Sequence, residues 1–273
     1  MEKYLIKIDE FSIKAENNIC FIEIFDPTSK NAMSLLFASH MREILAFNEM
    51  TQRTVFEDFL SEEKVVLVVI RSLLENIFAS GGHLKDLLVA EKKDHHLYGD
   101  SLRAFCKALN QLSQTTIAVL EGNAYGGGVE LALAPDFRWS IGQNIEFHFV
   151  QTRFGVPGGW GGMTRLAELN PIFTPKRVSG IFLAQDVMNF KTLCKYSLID
   201  KEFKNDSDCF KEIIRWRNNL FSCNPELRDD FYHRSTLKPI DLEEYDVAFF
   251  QKYFLSENHK ASIHKYFEFK NNK

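Results

Sequence analysis

The most constraining feature of this 273-residue chain is a run of three glycines, Gly126, Gly127 and Gly128, set between a strand pattern and a helix pattern. Ile117 to Leu120 is apolar at every position and reads as a buried strand. Val129 to Ala134 reads as the start of a helix. A strand, a glycine turn and a helix start leave backbone N–H groups unpaired and pointing outward. The helix dipole adds partial positive charge there. Such a place holds a phosphate, or a negative charge that develops during a reaction. The fuller G-x-G-x-x-G fingerprint is absent, which argues against a dinucleotide.

The same arrangement occurs earlier. Residues 77–88, IFASGGHLKDLL, run off a strand into Gly81-Gly82 and then into a helix-like segment. Val65 to Ile70 is wholly apolar, as in a parallel sheet covered on both faces. In open α/β sheets, ligands bind where strands end in such turns. Residues 4–14 and 18–26 read as strands joined at Asn17-Asn18. Ser34 is positioned to cap a helix from Leu35 to Asn48. Residues 49–63 read as a solvated connection and 91–100 as a mobile, charged loop. Ser101 opens a further helix. Helical patterns follow at 163–169, 176–184 and 189–195, with a short extended exit at 197–200. Beyond about 204 no strand pattern remains. FKEIIRWRNNLF (210–221), EEYDVAFFQKYF (243–254) and ASIHKYFEF (261–269) read as aromatic-rich helices. The expected organisation is an α/β core over 1–203 and a helical region over 204–273.

Composition narrows the function classes. A formal net charge of -4 gives no electrostatic support to nucleic-acid binding. No apolar stretch approaches the roughly 20 residues of a membrane helix. MEKYLIKIDEF lacks the apolar core of an export signal. Five dispersed cysteines without a C-x-x-C pair suggest reduced thiols and a cytoplasmic setting, with neither a disulfide frame nor a zinc site. His95-His96 reads as part of a solvated loop, and no metal is expected. The 25 phenylalanines suit a core and a subunit interface.

Two glycine turns from separate strands can converge on one point. Two N–H groups aimed at one carbonyl oxygen stabilise an enolate or a tetrahedral oxyanion. Glu130 lies one helical turn beyond Gly127 and can open onto the same pocket as an acid or base. A tight turn with Glu130 set on the helix dipole accounts for the same residues, and spacing alone does not separate the two.

Read together, these segments resemble the crotonase superfamily, the enoyl-CoA hydratase/isomerase fold. KNAMS (30–34) resembles the segment after its first hairpin. FASGGHLKDL (78–87) resembles its first oxyanion motif, and IAVLEGNAYGGGVELALAPDFR (117–138) its most specific one. FGVPGGWGGMTRL (154–166) and LAQDVMNFKTLCKYSLID (183–200) resemble the segments that follow. The match is collinear over residues 18–203. The resemblance implies a ββα spiral core, a C-terminal helical trimerisation region and an acyl-CoA thioester ligand. It matches Gly82 and Gly127 to the two oxyanion donors and Glu130 to the first catalytic glutamate. Ala79, Ser80 and Lys85 match positions bordering the CoA, and Lys30 lies near its phosphates. Coenzyme A enters with the substrate, and no separate cofactor is implied.

The sequence departs from the family at instructive places. Gln151 stands at the second catalytic glutamate, and an amide cannot take a proton. That argues against ordinary two-glutamate hydration. FVQTRFGVPGGWGG (149–162) resembles methylmalonyl- and ethylmalonyl-CoA decarboxylase relatives, with Trp160 where many hydratases carry a small residue. Trp160 is then a substrate wall or simple packing. Pro157 lies one place early, with Gly158 in its stead. His83 replaces the usual aspartate and either meets the substrate or supports the loop. His148 falls on the strand face away from the pocket. Tyr125 is either a pocket wall or a core residue.

The expected function is that of an acyl-CoA lyase acting through a stabilised enolate, by decarboxylation of a malonyl-type thioester. The alternatives are hydration, dehydration or isomerisation with Gln151 positioning water, and a non-catalytic thioester-binding or assembly protein. The expected partners are an acyl-CoA or acyl-carrier-protein thioester and further copies of the chain in a homotrimer or homohexamer, with no nucleic acid and no membrane.

Overall fold

Side chains along Phe11–Glu16 alternate between buried and half-buried, the period that lays one face of a strand on a core. This strand, β2, lies between β1 (Lys3–Lys7) and β3 (Ile19–Ile24) in an antiparallel ladder. Asn17 and Asn18 make the second turn with φ of 50° and 63°, values that asparagine tolerates in tight hairpins. The single strand expected over 4–14 is therefore two, broken by a polar turn at Asp9-Glu10 where the N–H of Ile8 donates to the carbonyl of Phe11 at 3.1 Å. The computed structural model describes residues 2–91, 96–235 and 261.

After β4 (Ala32–Met33), Ser34 caps α1 (Leu35–Ile44), its hydroxyl accepting from the N–H of Phe37 at 3.0 Å. The helix stops before Asn48 because residues 47–48 form a strand, β5, that pairs with β6 (Arg53–Thr54). The expected solvated connection instead contains α2 (Val55–Glu62), closed at its start by a Thr54–Glu57 capping box. Phe56, Phe59 and Leu60 are buried along α2 at the i, i+3, i+4 spacing of an amphipathic helix.

The elements that build the site follow. They are β7 (Leu67–Ser72), β8 (Asn76–Ala79), β9 (Gly81–Gly82), α3 (Leu84–Val89), a π-turn over His96–Asp100, α4 (Ser101–Gln111), β10 (Thr115–Leu120), β11 (Gly122–Tyr125), α5 (Gly127–Ala132), β12 (Phe137–Ile141) and β13 (Glu146–His148). A 3₁₀ turn over Gln151–Phe154 leads to α6 (Gly162–Leu169), α7 (Pro175–Leu183), β14 (Val187–Asn189), α8 (Phe190–Lys195), β15 (Lys201–Phe203) and α9 (Asp206–Ser222). By contact the chain divides into two units, Met1–Arg217 and Asn218–Lys273, the second holding α10 (Pro225–Ser235). The expected helices over 243–254 and 261–269 lie, apart from residue 261, outside the described residues. So do residues 92–95 of the expected loop.

One sheet runs β1-β2-β3-β7-β10-β12-β15, parallel from β3 onward, and a second runs β14-β13-β11-β8. Three times a strand of the large sheet passes directly into one of the small sheet: β7 to β8, β10 to β11, and β12 to β13. This is the ββα spiral. It brings the ends of β8–β9 and of β11 side by side. Every residue of β10 is buried, as its unbroken apolar run requires.

Candidate active site

The two glycine turns meet backbone to backbone. Gly81 has φ +88°, and a Cβ there would lie 2.7 Å from the carbonyl oxygen of Tyr125 and 2.9 Å from the nitrogen of Gly127. A Cβ on Gly128 would lie 2.2 Å from the carbonyl oxygen of Ala79. Only glycine allows so close an approach. β9 pairs with β4 in parallel, and the N–H of His83 donates to the carbonyl of Met33 at 3.1 Å. Successive N–H groups of an extended strand point to opposite edges, so the N–H of Gly82 faces away from β4. The N–H of Gly127 opens the first turn of α5, where no intrahelical acceptor exists.

Behind this junction lies Glu130, only 1% exposed. Its carboxylate is held by four donors. Oε1 accepts from the N–H of Gly159 at 3.1 Å and from Nε2 of Gln151 at 3.3 Å. Oε2 accepts from the N–H groups of Trp160 and Gly162, both at 2.8 Å. The GGWGG segment, 158–162, is thus a cradle of backbone N–H groups wrapped around one buried acid. A Cβ on Gly162 would lie 2.4 Å from Cγ of Glu130, which explains the last glycine. Gln151 must turn its nitrogen toward Glu130, because both carboxylate oxygens can only accept. Its own Oε1 is then enclosed and meets no donor among the described residues.

Two aromatic side chains close the space beside the glycines. A Cβ on Gly127 would lie 2.5 Å from the Trp160 ring, and one on Gly82 would lie 2.9 Å from the Tyr98 hydroxyl. The two rings touch edge to face, centroids 6.4 Å apart. The Tyr98 hydroxyl donates to the carbonyl of Met33 at 2.7 Å and accepts from the N–H of His83 at 3.2 Å. Burial pushes its pKa up. Burial likewise pushes the thiol of Cys106, on α4, up to about 12, which makes it a poor nucleophile.

The remaining residues singled out in the sequence separate into two groups. Ala79 is buried in the junction, and Ser80 stitches the turn to the connection between β3 and β4, its hydroxyl donating to the carbonyl of Ser29 at 3.0 Å. His83 caps α3: its Nδ1 accepts from the N–H of Asp86 and lies 2.7 Å from that carboxylate. The ring is committed to the helix start. Lys85 and Lys30 are exposed. His148 stacks on Tyr125 with ring centroids 4.3 Å apart and pairs with Glu146 at 3.1 Å. Among the described residues, no group of three His, Cys, Asp or Glu side chains is arranged to hold a metal, and no helix is long and apolar enough to cross a membrane.

The family model described as enoyl-CoA hydratase/isomerase matches residues 14–273. The chain belongs to the enoyl-CoA hydratase/isomerase family. Probable enoyl-CoA hydratase 2, mitochondrial, of Arabidopsis thaliana is 31% identical over 183 residues, 64% of this chain and 56% of that protein. The mitochondrial methylglutaconyl-CoA hydratase of Rattus norvegicus is 34% identical over 106 residues, 39% of this chain and 33% of its own length. The chain spans about half the length of the first curated relatives it matches, 56% and 50%. Among solved structures, the enoyl-CoA hydratase from Bacillus anthracis superposes with a TM-score of 0.77 at 18% identity, over 95% of this chain and 96% of that one. A putative enoyl-CoA hydratase from Thermobifida fusca, solved with acetoacetyl-CoA, gives 0.70 at 15% identity over 88% and 93%. The fold is therefore that of the crotonase hydratases. These relatives are named hydratases, and the resemblance to the decarboxylases finds no support among them.

The structure also shows what the sequence hid. Tyr98 sits in a stretch that reads as a charged loop, yet it is buried at the junction. Arg103 donates from Nε to the carbonyl of Gly159 at 2.9 Å, and Arg165 donates from Nη1 to the carbonyl of Trp160 at 3.0 Å. Arg165 falls at the arginine of the matched segment FGVPGGWGGMTRL (154–166), but nothing there points to its role, and Arg103 has no sequence signal that separates it from an ordinary helical arginine.

Proposed function

We propose that this chain adds water to, or removes it from, a short acyl-CoA thioester, with the enolate oxygen held by the N–H groups of Gly82 and Gly127. The carrying observation is the Glu130–Gln151 pair. A carboxylate offers about four acceptor positions, and all four are filled in Glu130. The bond from Gln151, at 3.3 Å, is the longest, and it is the one that yields. A water inserted there donates one hydrogen to Oε1 of Glu130. It donates the other to Oε1 of Gln151 once the amide turns that unpartnered acceptor toward the water. Its lone pair is left to attack C3 of an enoyl thioester.

The electrons then move consistently. As the water oxygen bonds to C3, Glu130 takes its proton, and the C2=C3 pair shifts through C1 onto the thioester oxygen. That oxyanion rests on the two glycine N–H groups. On collapse, C2 takes the proton from Glu130, and one water has been added across the double bond. Dehydration is the reverse. Gln151 holds the water and transfers no proton. Trp160 and Tyr98 limit the acyl group to a short chain, because they fill the space beside both oxyanion donors.

A second reading is decarboxylation of a malonyl-type thioester. It draws on the single carboxylate, since loss of CO2 leaves an enolate that needs only one proton donor. Against it, a substrate carboxylate beside Glu130 repels a like charge, and the free acceptor of Gln151 offers it nothing.

The test is to incubate the protein separately with short enoyl, 3-hydroxyacyl and methylmalonyl CoA thioesters and follow their masses. Gain or loss of one water, absent in Glu130→Gln, supports hydration. Loss of CO2 instead supports the second reading. Tight thioester binding with unchanged masses makes the chain a non-catalytic binder and overturns both.

A further inference from the structure

The cradle around Glu130 has an outer face as well as an inner one. A trans peptide directs its C=O and its N–H to opposite sides. The carbonyl of Gly159 shares a peptide plane with the N–H of Trp160, which grips Oε2 of Glu130 at 2.8 Å. That carbonyl accepts from Nε of Arg103 at 2.9 Å. The carbonyl of Gly161 shares a plane with the N–H of Gly162, also on Oε2 at 2.8 Å. It accepts from the backbone N–H of Arg165 at 3.1 Å. Between them, the carbonyl of Trp160 accepts from Nη1 of Arg165 at 3.0 Å. The carbonyls of Gly159 and Trp160 are thus held outward by arginine side chains and that of Gly161 by the first backbone bond of α6, while the N–H groups of Trp160 and Gly162 turn inward onto the acid.

We propose that Arg103 and Arg165 are positioning residues for Glu130, acting through the peptide units on either side of Trp160 and Gly161. The inference rests on Glu130 being the group that moves the proton. Arg165 is buried, and a buried cation needs a compensating charge. Glu130 supplies it at a distance of one residue, with Trp160 donating to the acid and accepting from the arginine. Arg103 reaches the same loop from α4, with its side chain 60% exposed. The Arg103 cation on the Gly159 carbonyl also strengthens the Trp160 donor at the other end of that peptide, because linked hydrogen bonds polarise one another. Arg165 instead acts by fixing the position of the Trp160–Gly161 peptide between the two donors. The arginines therefore fix where the carboxylate lies without touching the substrate.

The experiment uses the full chain labelled with ¹⁵N at glycine and tryptophan, with amide proton positions read alongside turnover. An amide bonded to a carboxylate resonates downfield. In Arg103→Ala the Trp160 amide is expected to move upfield while that of Gly162 stays. On the thioester that the wild type turns over, kcat falls about 5-fold with KM unchanged, and added guanidinium restores it. Arg165→Lys keeps a charge but loses the fork, and is expected to move both amides. An unmoved Trp160 amide, or an unchanged kcat in Arg103→Ala, overturns the proposal even if the Arg165 variant fails to fold. Should the wild type turn over no thioester, the proposed reaction fails on its own, and the amide positions still decide whether the arginines set the cradle.

Discussion

Oε1 of Glu130 and Nε2 of Gln151 face each other across 3.3 Å, in a pocket where the acid is 1% and the amide 6% exposed. One partner can move a proton and the other cannot. That asymmetry leads to the first expectation. Glu130→Gln turns an amide nitrogen toward one or more backbone donors and removes the base. Turnover of a short enoyl thioester falls at least about 100-fold. Gln151→Glu supplies a second proton carrier, and hydration rises; Gln151→Leu has neither donor nor acceptor, and hydration falls. Steady-state rates on one enoyl thioester check all three. A Gln151→Leu rate equal to wild type contradicts the water site.

Trp160 is a buried residue packed against Gly127, and on the proposed reading it also walls the acyl pocket. Trp160→Ala opens space beside Gly127 and lengthens the acyl chains that bind. It also leaves a cavity and costs about 3–5 kcal/mol of stability. Trp160→Phe keeps most of the packing and shifts the chain-length preference less. Calorimetric titration with saturated acyl-CoAs from two to ten carbons measures the preference without requiring turnover. Tight binding of ten-carbon chains by the wild type contradicts the wall.

Gly128 tests the junction itself. Its Cβ position lies 2.2 Å from a backbone oxygen of Ala79, which cannot move without shifting β8. Gly128→Ala is expected to lower the melting temperature by several degrees or to prevent folding. Gly142→Ala has open space around its Cβ position, but φ of +72° makes it a milder loss. Equal melting curves for the two variants contradict the close approach of the turns.

Glu212 sets an acid limit away from the site. Arg215 and then Lys201 bond to its carboxylate and hold its pKa at about 2, below the ordinary 4.5. The amino group of Lys201 lies between the rings of Trp139 and Trp216 at 5.1 and 4.9 Å. A depressed carboxyl pKa contributes stability that is complete above about 4.5 and is lost as pH falls toward about 2. Glu212→Gln is therefore less stable than wild type at neutral pH, by about 1 kcal/mol, and the gap closes across that window. Tryptophan fluorescence during urea unfolding at several pH values follows it. A gap that widens on acidification contradicts the assignment.

Much of this was legible in the sequence, for physical reasons. Ile117–Leu120 and Val65–Ile70 are apolar at every position, as suits a doubly covered strand, and the first lies in β10 and the second, from Leu67 onward, in β7 of the large sheet. The two glycine turns announced themselves because no other residue allows such approach. The small sheet was not legible. β11, GNAY, and β13, EFH, are too short and too polar for a period to show. Their pairing depends on the spiral, which local sequence does not encode. The helix over Val55–Glu62 was hidden by acids on its solvent face, although its aromatics held helical spacing. Tyr98 and Arg103 escaped notice because their roles arise from partners 15 to 65 residues away.

The central claim is that Gly82 and Gly127 hold a thioester enolate while Glu130 moves the proton at C2. It is tested most directly by placing butyryl-CoA with the protein in deuterium oxide and following exchange at C2 by mass. The substrate has no double bond to hydrate and no carboxylate to lose, so exchange reports enolate formation alone. The account predicts deuterium entering C2 with the wild type and none with Glu130→Gln. No exchange with the wild type despite bound thioester, or equal exchange in the variant, contradicts it.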